Sequence, residues 1–450
     1  MHSLSLHLHL TEFWRGILPT VAWGIGLVWV LRTYDLVSRV PAMPNLTMMD
    51  WDEMPEGLPT LTVVVPARDE VEKIGATLEA LLAADYPALR VLVVDDRSKD
   101  GTGELVDRYV EEYAERQRSR KPGKRPVGPE RLDAIHITDL PEGWLGKTFA
   151  LMVATENSDS EYLLFTDADV LFSPSVLRRA LVYARDAEAD HLVVLPTVQV
   201  KSWGEGVLLG FMQALGVWVS RPWKVEDPKA RRDVAGIGAF NLVRRQALDE
   251  IGGWLPQRMV VLEDVTLGRR MKAAGMRERL AFAPGMVLVH WASGWGGLLR
   301  TTTKNLFAAF NFQPLLVLLA SLWIGIFFLL PLLGLAWLPT LLPSLLILCC
   351  IGATYRVLGG VSWIDARYGW FYPVGALGVI YAMLRSMVVV SVTRGVVWRG
   401  TTYPLRELRP HNNPLKWDRE ANRQIDRETK AQRTARRFAD SRKRRGTRKG

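Results

Sequence analysis

The stretch Tyr162–Asp169, YLLFTDAD, sets four apolar or aromatic residues before a threonine and two carboxylates separated by one alanine. A short apolar run closed by acidic residues reads as a buried strand that empties into a loop at the carboxyl edge of a sheet. Upstream, Leu61–Pro66 (LTVVVP) is a second such run, after which Ile74, Leu78, Leu81 and Leu82 recur at helical spacing. A third, Val91–Val94, ends in Asp95-Asp96-Arg97-Ser98. Downstream, the apolar run Met259–Leu262 is followed by Glu263-Asp264 and a helix-like stretch, VTLGRRMKAAG. Strand, helix, strand and acidic loop in repetition predict a doubly wound α/β domain over about 58–310. Ligands of such sheets bind at the strand carboxyl ends, where every acidic pair here falls.

The chain has 450 residues and a formal charge of +10. Arg394–Gly450 holds 18 Lys and Arg against 6 Asp and Glu, a local +12, so the first 393 residues carry −2. A near-neutral body lacks the basic face that nucleic acid requires, which speaks against a nucleic-acid partner. Two adjacent cysteines, Cys349 and Cys350, cannot build a disulfide framework or a structural zinc site.

Apolar residues are concentrated at the two ends. Gly16–Leu31 carries no charge, and Phe13 and Trp14 extend it toward the roughly 20 residues that span a bilayer. It lacks a basic start and an A-x-A cleavage site, so it reads as an uncleaved anchor helix at about 14–32. Arg32 and Arg39 after it, against Arg15 before it, put its C-terminal side in the cytoplasm. Pro314–Tyr355 runs 42 residues without a charged side chain, and Pro331, Pro339 and Pro343 divide it into helices at about 314–335 and 338–356. A third segment, 372–393, is interrupted by Arg385. Its hydropathy reads as a third C-terminal span, which carries the tail to the opposite face; the alternative is a helix in the interface, which keeps the tail beside anionic lipid. The expected organisation is an anchor and linker over 1–57, a catalytic domain over 58–310, a membrane region over 311–398 and a basic cytoplasmic or lipid-facing tail over 399–450. Glu111–Arg131 reads as a solvated excursion, and 204–223 as an apolar helix that either packs in the core or leads a lipid toward the site.

Asp167 and Asp169 suit a hard divalent cation whose shell is completed by phosphate oxygens. Glu263-Asp264 has two readings, helix capping or a catalytic base, since acids favour a helix N-terminus. Gly236 and Gly238 let backbone approach a ligand closely.

These pieces occur in a recognisable order. VVVPARDE at 63–70, VVDDRSKDGT at 93–102, TDAD at 166–169, GIGAF at 236–240, LED at 262–264 and His290 in VLVHW resemble a membrane-bound family 2 glycosyltransferase with the GT-A fold. PEGWLGK at 141–147 and VVWRGTTYP at 396–404 are similar to segments of enzymes that glycosylate carotenoids, hopanoid-type lipids or ceramide-like acceptors. The resemblance implies a nucleotide-diphosphate-sugar donor, a UDP-sugar by preference, held by Pro66, Asp69, Asp95, Asp96, Lys147 and Asp167. It implies Mg²⁺ or Mn²⁺ on Asp169, Asp167 and His290, and an acceptor side formed by Gly236, Gly238 and Glu263. Asp264 is then the base, and one base without a covalent nucleophile implies inversion. The acceptor implied is a hydroxyl or carboxyl of a membrane lipid, and the enzyme a multi-pass membrane protein with a cytoplasmic catalytic domain. Where a processive polysaccharide synthase would carry Q-x-x-R-W, this chain has Thr301-Thr302-Thr303-Lys304-Asn305, which speaks against polymerisation. Arg300 and Lys304 are the candidates to close over the nucleotide. A processive synthase and a non-catalytic membrane-tethered binding module are the rival readings.

Overall fold

The computed structural model describes residues 2–119 and 129–412. Part of the Glu111–Arg131 excursion, and the tail from residue 413 onward, lie outside these residues. Ten strands build the catalytic block: β1 (Leu61–Ala67), β2 (Leu89–Asp96), β3 (Arg131–Ile137), β4 (Tyr162–Phe165), β5 (Val170–Phe172), β6 (His191–Leu195), β7 (Thr197–Val198), β8 (Asn241–Arg244), β9 (Glu278–Phe282) and β10 (Val287–Val289).

Seven of them form one sheet in the order β3-β2-β1-β4-β8-β6-β9. Val63 and Val65 of β1 pack into one core with Val91 and Val93 of β2, while Val64 joins Leu92 and Val94 in a second core. Alternate residues thus face opposite layers, and both layers are covered, which is why the strands read as unbroken apolar runs. Each buried valine contributes roughly 1.5–3 kcal/mol through burial. β3, β2, β1 and β4 are parallel, but β8 runs antiparallel to both of its neighbours, β4 and β6. The sheet is therefore mixed rather than wholly parallel. The glycine loop sets Asn241 opposite Phe165, so β8 begins at the functional rim and runs away from it. β5, β10 and β7 make a second, small sheet at that rim.

The linker after the first helix is docked on this block. Leu46 N–H donates to Phe282 O at 2.8 Å, and the Arg179 guanidinium donates to Leu46 O at 2.9 Å. Four helical stretches are long and apolar enough to cross a membrane: Gly16–Ala42, Pro314–Gly334, Leu338–Ser362 and Ala366–Val392. The first and third run about ten and six residues past their expected C-terminal ends. Arg32 and Arg356 do not end these helices, because packing on neighbouring elements continues them.

The stretch beginning at 399 is not all tail. β11 (Gly395–Trp398) and β12 (Thr401–Pro404) form a hairpin, and a short helix, Leu405–His411, follows. Arg399 and Gly400 both take positive φ, 45° and 73°, as a two-residue hairpin turn requires. The hairpin folds back over the catalytic rim, so the boundary expected at 398/399 cuts through a folded unit.

Candidate active site

The D-x-D turn leaves β4 with its backbone tied on both sides. Thr166 Oγ1 donates to Ala239 O at 2.8 Å, and Thr77 Oγ1 donates to Ala168 O at 2.9 Å. Between Asp167 and the next carboxylates stands Lys147, near the start of the helix Gly146–Glu156. Its Nζ lies 2.5 Å from Asp167 Oδ1 and 2.7 Å from Glu263 Oε1. Burial would lower the Lys147 pKa, but Asp167, Glu263 and Asp264 outweigh it and hold the ammonium well above its usual value. For Asp167 burial acts upward, and Lys147, Lys304 and Arg399 overcome it to keep that carboxylate below the usual range.

Asp264 opens the helix Glu263–Ala273 together with Glu263. Burial, then the charge of Glu263, push its carboxyl up to about 6 despite Lys147. Asp264 Oδ1 accepts from the adjacent Val265 N–H at 2.8 Å. Lys147, Gly238, Glu263 and Asp264 line one cavity, floored by Phe165 and Trp254.

The glycine loop is held against both halves of this arrangement. A Cβ at Gly236 would lie 2.4 Å from the Asp264 carbonyl, and one at Gly238 would lie 2.3 Å from Asp167 Oδ2. At Gly236 the obstacle is backbone and no side chain fits, while at Gly238 a side chain would displace the Asp167 carboxylate, so these glycines let the loop sit between Asp264 and the D-x-D turn.

On the donor side, Asp96 ends β2 nearly buried, with Arg97 Nε at 2.6 Å and Arg68 Nη1 at 3.5 Å. Gly146 closes over it, since a Cβ there would meet Asp96 Oδ2 at 2.1 Å. Asp95 does not share this pocket. Alternation along β2 turns it toward β3, where Oδ2 meets His136 Nδ1 at 3.1 Å. Asp69, at φ 52°, joins the loops after β1 and β2: its N–H donates to Ser98 Oγ at 3.0 Å and its Oδ1 accepts from Lys99 N–H at 2.8 Å. Pro66 stays within β1, past the last residue paired with β4, so its missing N–H breaks no ladder bond there.

Asp169 Oδ2 holds Lys73 Nζ at 2.8 Å. His290 follows Val289, which pairs with Val170, so its backbone continues opposite Asp169. Its Nε2, however, lies 3.3 Å from Glu205 Oε2. Among the described residues no three His, Cys, Asp or Glu side chains converge as a ready-made metal cage. Two carboxylates one residue apart are oxygen donors of the kind a hard cation takes, and here each holds a lysine ammonium, Lys147 on Asp167 and Lys73 on Asp169. His290 stands at that edge with Nε2 already engaged.

Several groups that hold this rim together escaped the sequence reading. Arg399, at the hairpin tip, donates to Asp69 O at 3.1 Å and pairs with Glu70. Tyr403 Oη accepts from Gly146 N–H at 3.2 Å. Asn412 donates to Met259 O at 3.2 Å and accepts from Val261 N–H at 3.3 Å, just before the acidic pair. Of the two closing candidates, Arg300 is exposed, whereas Lys304 Nζ lies 3.9 Å from the Trp398 ring centroid. Burial, then Lys147, lower the Lys304 pKa to about 8. The VVWRGTTYP segment was the available signal, though nothing in it specified that the chain returns to this rim.

Comparison with known proteins adds three findings. Residues 62–252 match the family described as Glycosyl transferase family 2. The beta-monoglucosyldiacylglycerol synthase of Synechocystis sp. is 27% identical over 257 residues, which is 54% of this chain and 48% of that one. The 4,4'-diaponeurosporenoate glycosyltransferase of Staphylococcus aureus is 24% identical over 212 residues, 46% of this chain and 50% of that one. The chain thus spans about half the length of the curated relatives it matches. Among solved structures, the mannosyltransferase PcManGT from Pyrobaculum calidifontis, in complex with GDP-Man and Mn²⁺, is 19% identical with a TM-score of 0.46, covering 84% of this chain and 98% of that one.

Proposed function

We propose, from the premise that this chain carries a family 2 glycosyltransferase domain of the GT-A type, that it moves a sugar from a nucleoside-diphosphate donor to a lipid-type acceptor at a membrane surface. The observation that carries the reading is Lys147, whose ammonium bridges the D-x-D carboxylate Asp167 and Glu263 beside the cavity that Glu263 and Asp264 line.

The donor base lies toward Asp96, whose carboxylate suits the ring N–H of uracil and so favours a UDP-sugar. Lys147, Lys304 and Arg399 supply positive charge around the diphosphate, and Arg97 and Arg68 hold Asp96 in place. A divalent cation on Asp167 and Asp169 would offset the charge that develops on the departing diphosphate. Asp264 takes the acceptor proton as the hydroxyl or carboxyl oxygen attacks the anomeric carbon. Its raised pKa suits that work near neutral pH. A single displacement inverts the anomeric centre. Residues 301–305, on the helix Gly294–Ala309, are Thr-Thr-Thr-Lys-Asn in place of Q-x-x-R-W, which favours a single transfer over polymerisation. Two relatives named for lipid-type products support a lipid acceptor. The catalytic side is the cytoplasmic one in this reading, because nucleotide sugars are made there.

The test is direct. The purified full chain in lipid nanodiscs, given UDP-sugars, Mn²⁺ and a bacterial lipid extract, should yield a singly glycosylated lipid of inverted anomeric configuration. EDTA should stop the transfer and added Mn²⁺ or Mg²⁺ should restore it. A retained configuration, a polymer, or full activity in EDTA would each overturn part of the reading.

A further inference from the structure

The helix Tyr372–Val392 meets the length and hydropathy that a membrane span needs, and by composition it counts as a fourth crossing. Its attachments oppose that. At its start, Phe371 packs edge-on against Trp203 with ring centroids 5.1 Å apart, and Tyr368 lies so close over Gly206 that a Cβ there would come within 2.1 Å of the ring. Glu205, between those two residues, is the partner of His290 at the catalytic rim. Near the other end, Ser386 Oγ accepts from Phe307 N–H at 2.9 Å and donates to Thr303 O at 2.5 Å. The next residue after Thr303 is Lys304, which stands over Trp398 of the hairpin.

The covalent chain makes the case quantitative. Val392 is seven residues before Arg399, and Arg399 donates to Asp69 O in the donor turn at 3.1 Å. Seven extended residues reach at most about 25 Å, whereas the hydrocarbon core alone is about 30 Å thick. If Val392 lay on the far side, Arg399 could not touch the catalytic domain. The preceding helix, Leu338–Ser362, also ends on the catalytic side, because Ser362 Oγ donates to Gln213 Oε1 at 2.9 Å. Both ends of Tyr372–Val392 therefore belong to one face.

We propose that this helix does not cross the membrane but lies along its surface, between the catalytic domain and the lipid. The described residues then cross three times, and the chain leaves them at residue 412 on the catalytic side. The two faces of the helix agree with this placement. Gly375, Gly378, Ala382 and Ser386 are buried against the catalytic helices Trp203–Val219 and Gly294–Ala309. Val374, Leu377, Tyr381, Val388 and Val392 stand 42–77% exposed on a stripe spaced by threes, fours and sevens. An apolar stripe on a helix pinned beside spanning helices fits the boundary of headgroups and acyl chains. Arg385 stands on this stripe between Tyr381 and Val388, and its guanidinium reaches across to Leu299 O and the Thr303 hydroxyl, so its charge is met by polar groups of the catalytic helix. The chain beyond residue 412 holds 14 Lys and Arg, and anionic headgroups of the same leaflet would be their complement.

The test uses the full chain with Cys349 and Cys350 replaced by alanine and one new cysteine at a time. A membrane-impermeant maleimide is applied to spheroplasts and to inverted vesicles. Asp159→Cys on the catalytic domain and Ser441→Cys in the tail should label from the same face, and Ala336→Cys, between the two long spans, from the other. Labelling of Ser441→Cys from the face of Ala336→Cys would overturn the proposal, as would labelling of all three from one face. A second readout needs no sidedness: a fluorophore at Leu377→Cys, Tyr381→Cys or Val388→Cys should be quenched best by lipids brominated near the headgroup. Strongest quenching of Tyr381→Cys by lipids brominated near the chain ends would place that residue at mid-bilayer and contradict a surface helix.

Discussion

Lys147 and its three acidic neighbours divide the labour of the site by charge. Asp167 is held ionised, while Asp264 is lifted toward neutrality by burial and by Glu263. In the proposed transfer the first carboxylate serves the cation and phosphates and the second takes the proton. A base works only when deprotonated, so transfer should fall as pH drops through about 6, the value for Asp264. On the alkaline side Lys304, near 8, loses its charge, and donor affinity should weaken above that pH. A pH profile of kcat and KM checks both limbs, and Lys304→Arg should move only the alkaline one. The glycine loop gives a second residue-scale prediction. Gly238→Ala puts a methyl where Asp167 Oδ2 now lies, and displacing a catalytic group by about 1 Å can cost roughly 10²-fold in rate. Turnover should drop by that order while the circular dichroism spectrum stays unchanged.

At the scale of elements, the hairpin β11–β12 is the part that sequence reading misjudged. The strands, the D-x-D turn and the acidic pair were legible because each rests on local pattern: an apolar run, then acids at the rim. The return of the hairpin rests on contacts between residues as far apart as Arg399 and Asp69, and no local pattern encodes them. Asp95 is a smaller case of the same kind. Two adjacent aspartates look equivalent in a sequence, but strand alternation sends one to His136 and the other to the arginines. The closing role of the hairpin is testable at Arg399, a partly exposed residue whose ion pair is worth about 1 kcal/mol. Arg399→Ala should raise the donor KM roughly fivefold with kcat nearly unchanged. Tyr403→Phe removes the acceptor of the Gly146 N–H, worth about 1 kcal/mol, and should lower thermal stability modestly.

For the whole molecule, the catalytic block and the membrane helices are joined by packing as well as by chain. Trp29 of the first helix meets Trp218 and Phe328 with ring centroids 5.3 and 5.0 Å apart, and its Nε1 donates to Phe327 O at 3.0 Å. The helix Trp203–Val219 thus runs from the catalytic rim into an aromatic cluster shared with the apolar helices. The account stands or falls on what that carboxyl does. As a general base it should contribute 10²–10⁴-fold, roughly 3–5.5 kcal/mol of barrier, and an amide cannot take the proton. As a helix cap it would be replaced almost without loss by asparagine. The decisive measurement is turnover of Asp264→Asn on UDP-sugar and lipid extract, beside its nucleotide affinity by calorimetry. The proposed transfer predicts turnover lower by at least about 10²-fold with near-normal nucleotide affinity; near-normal turnover would contradict it.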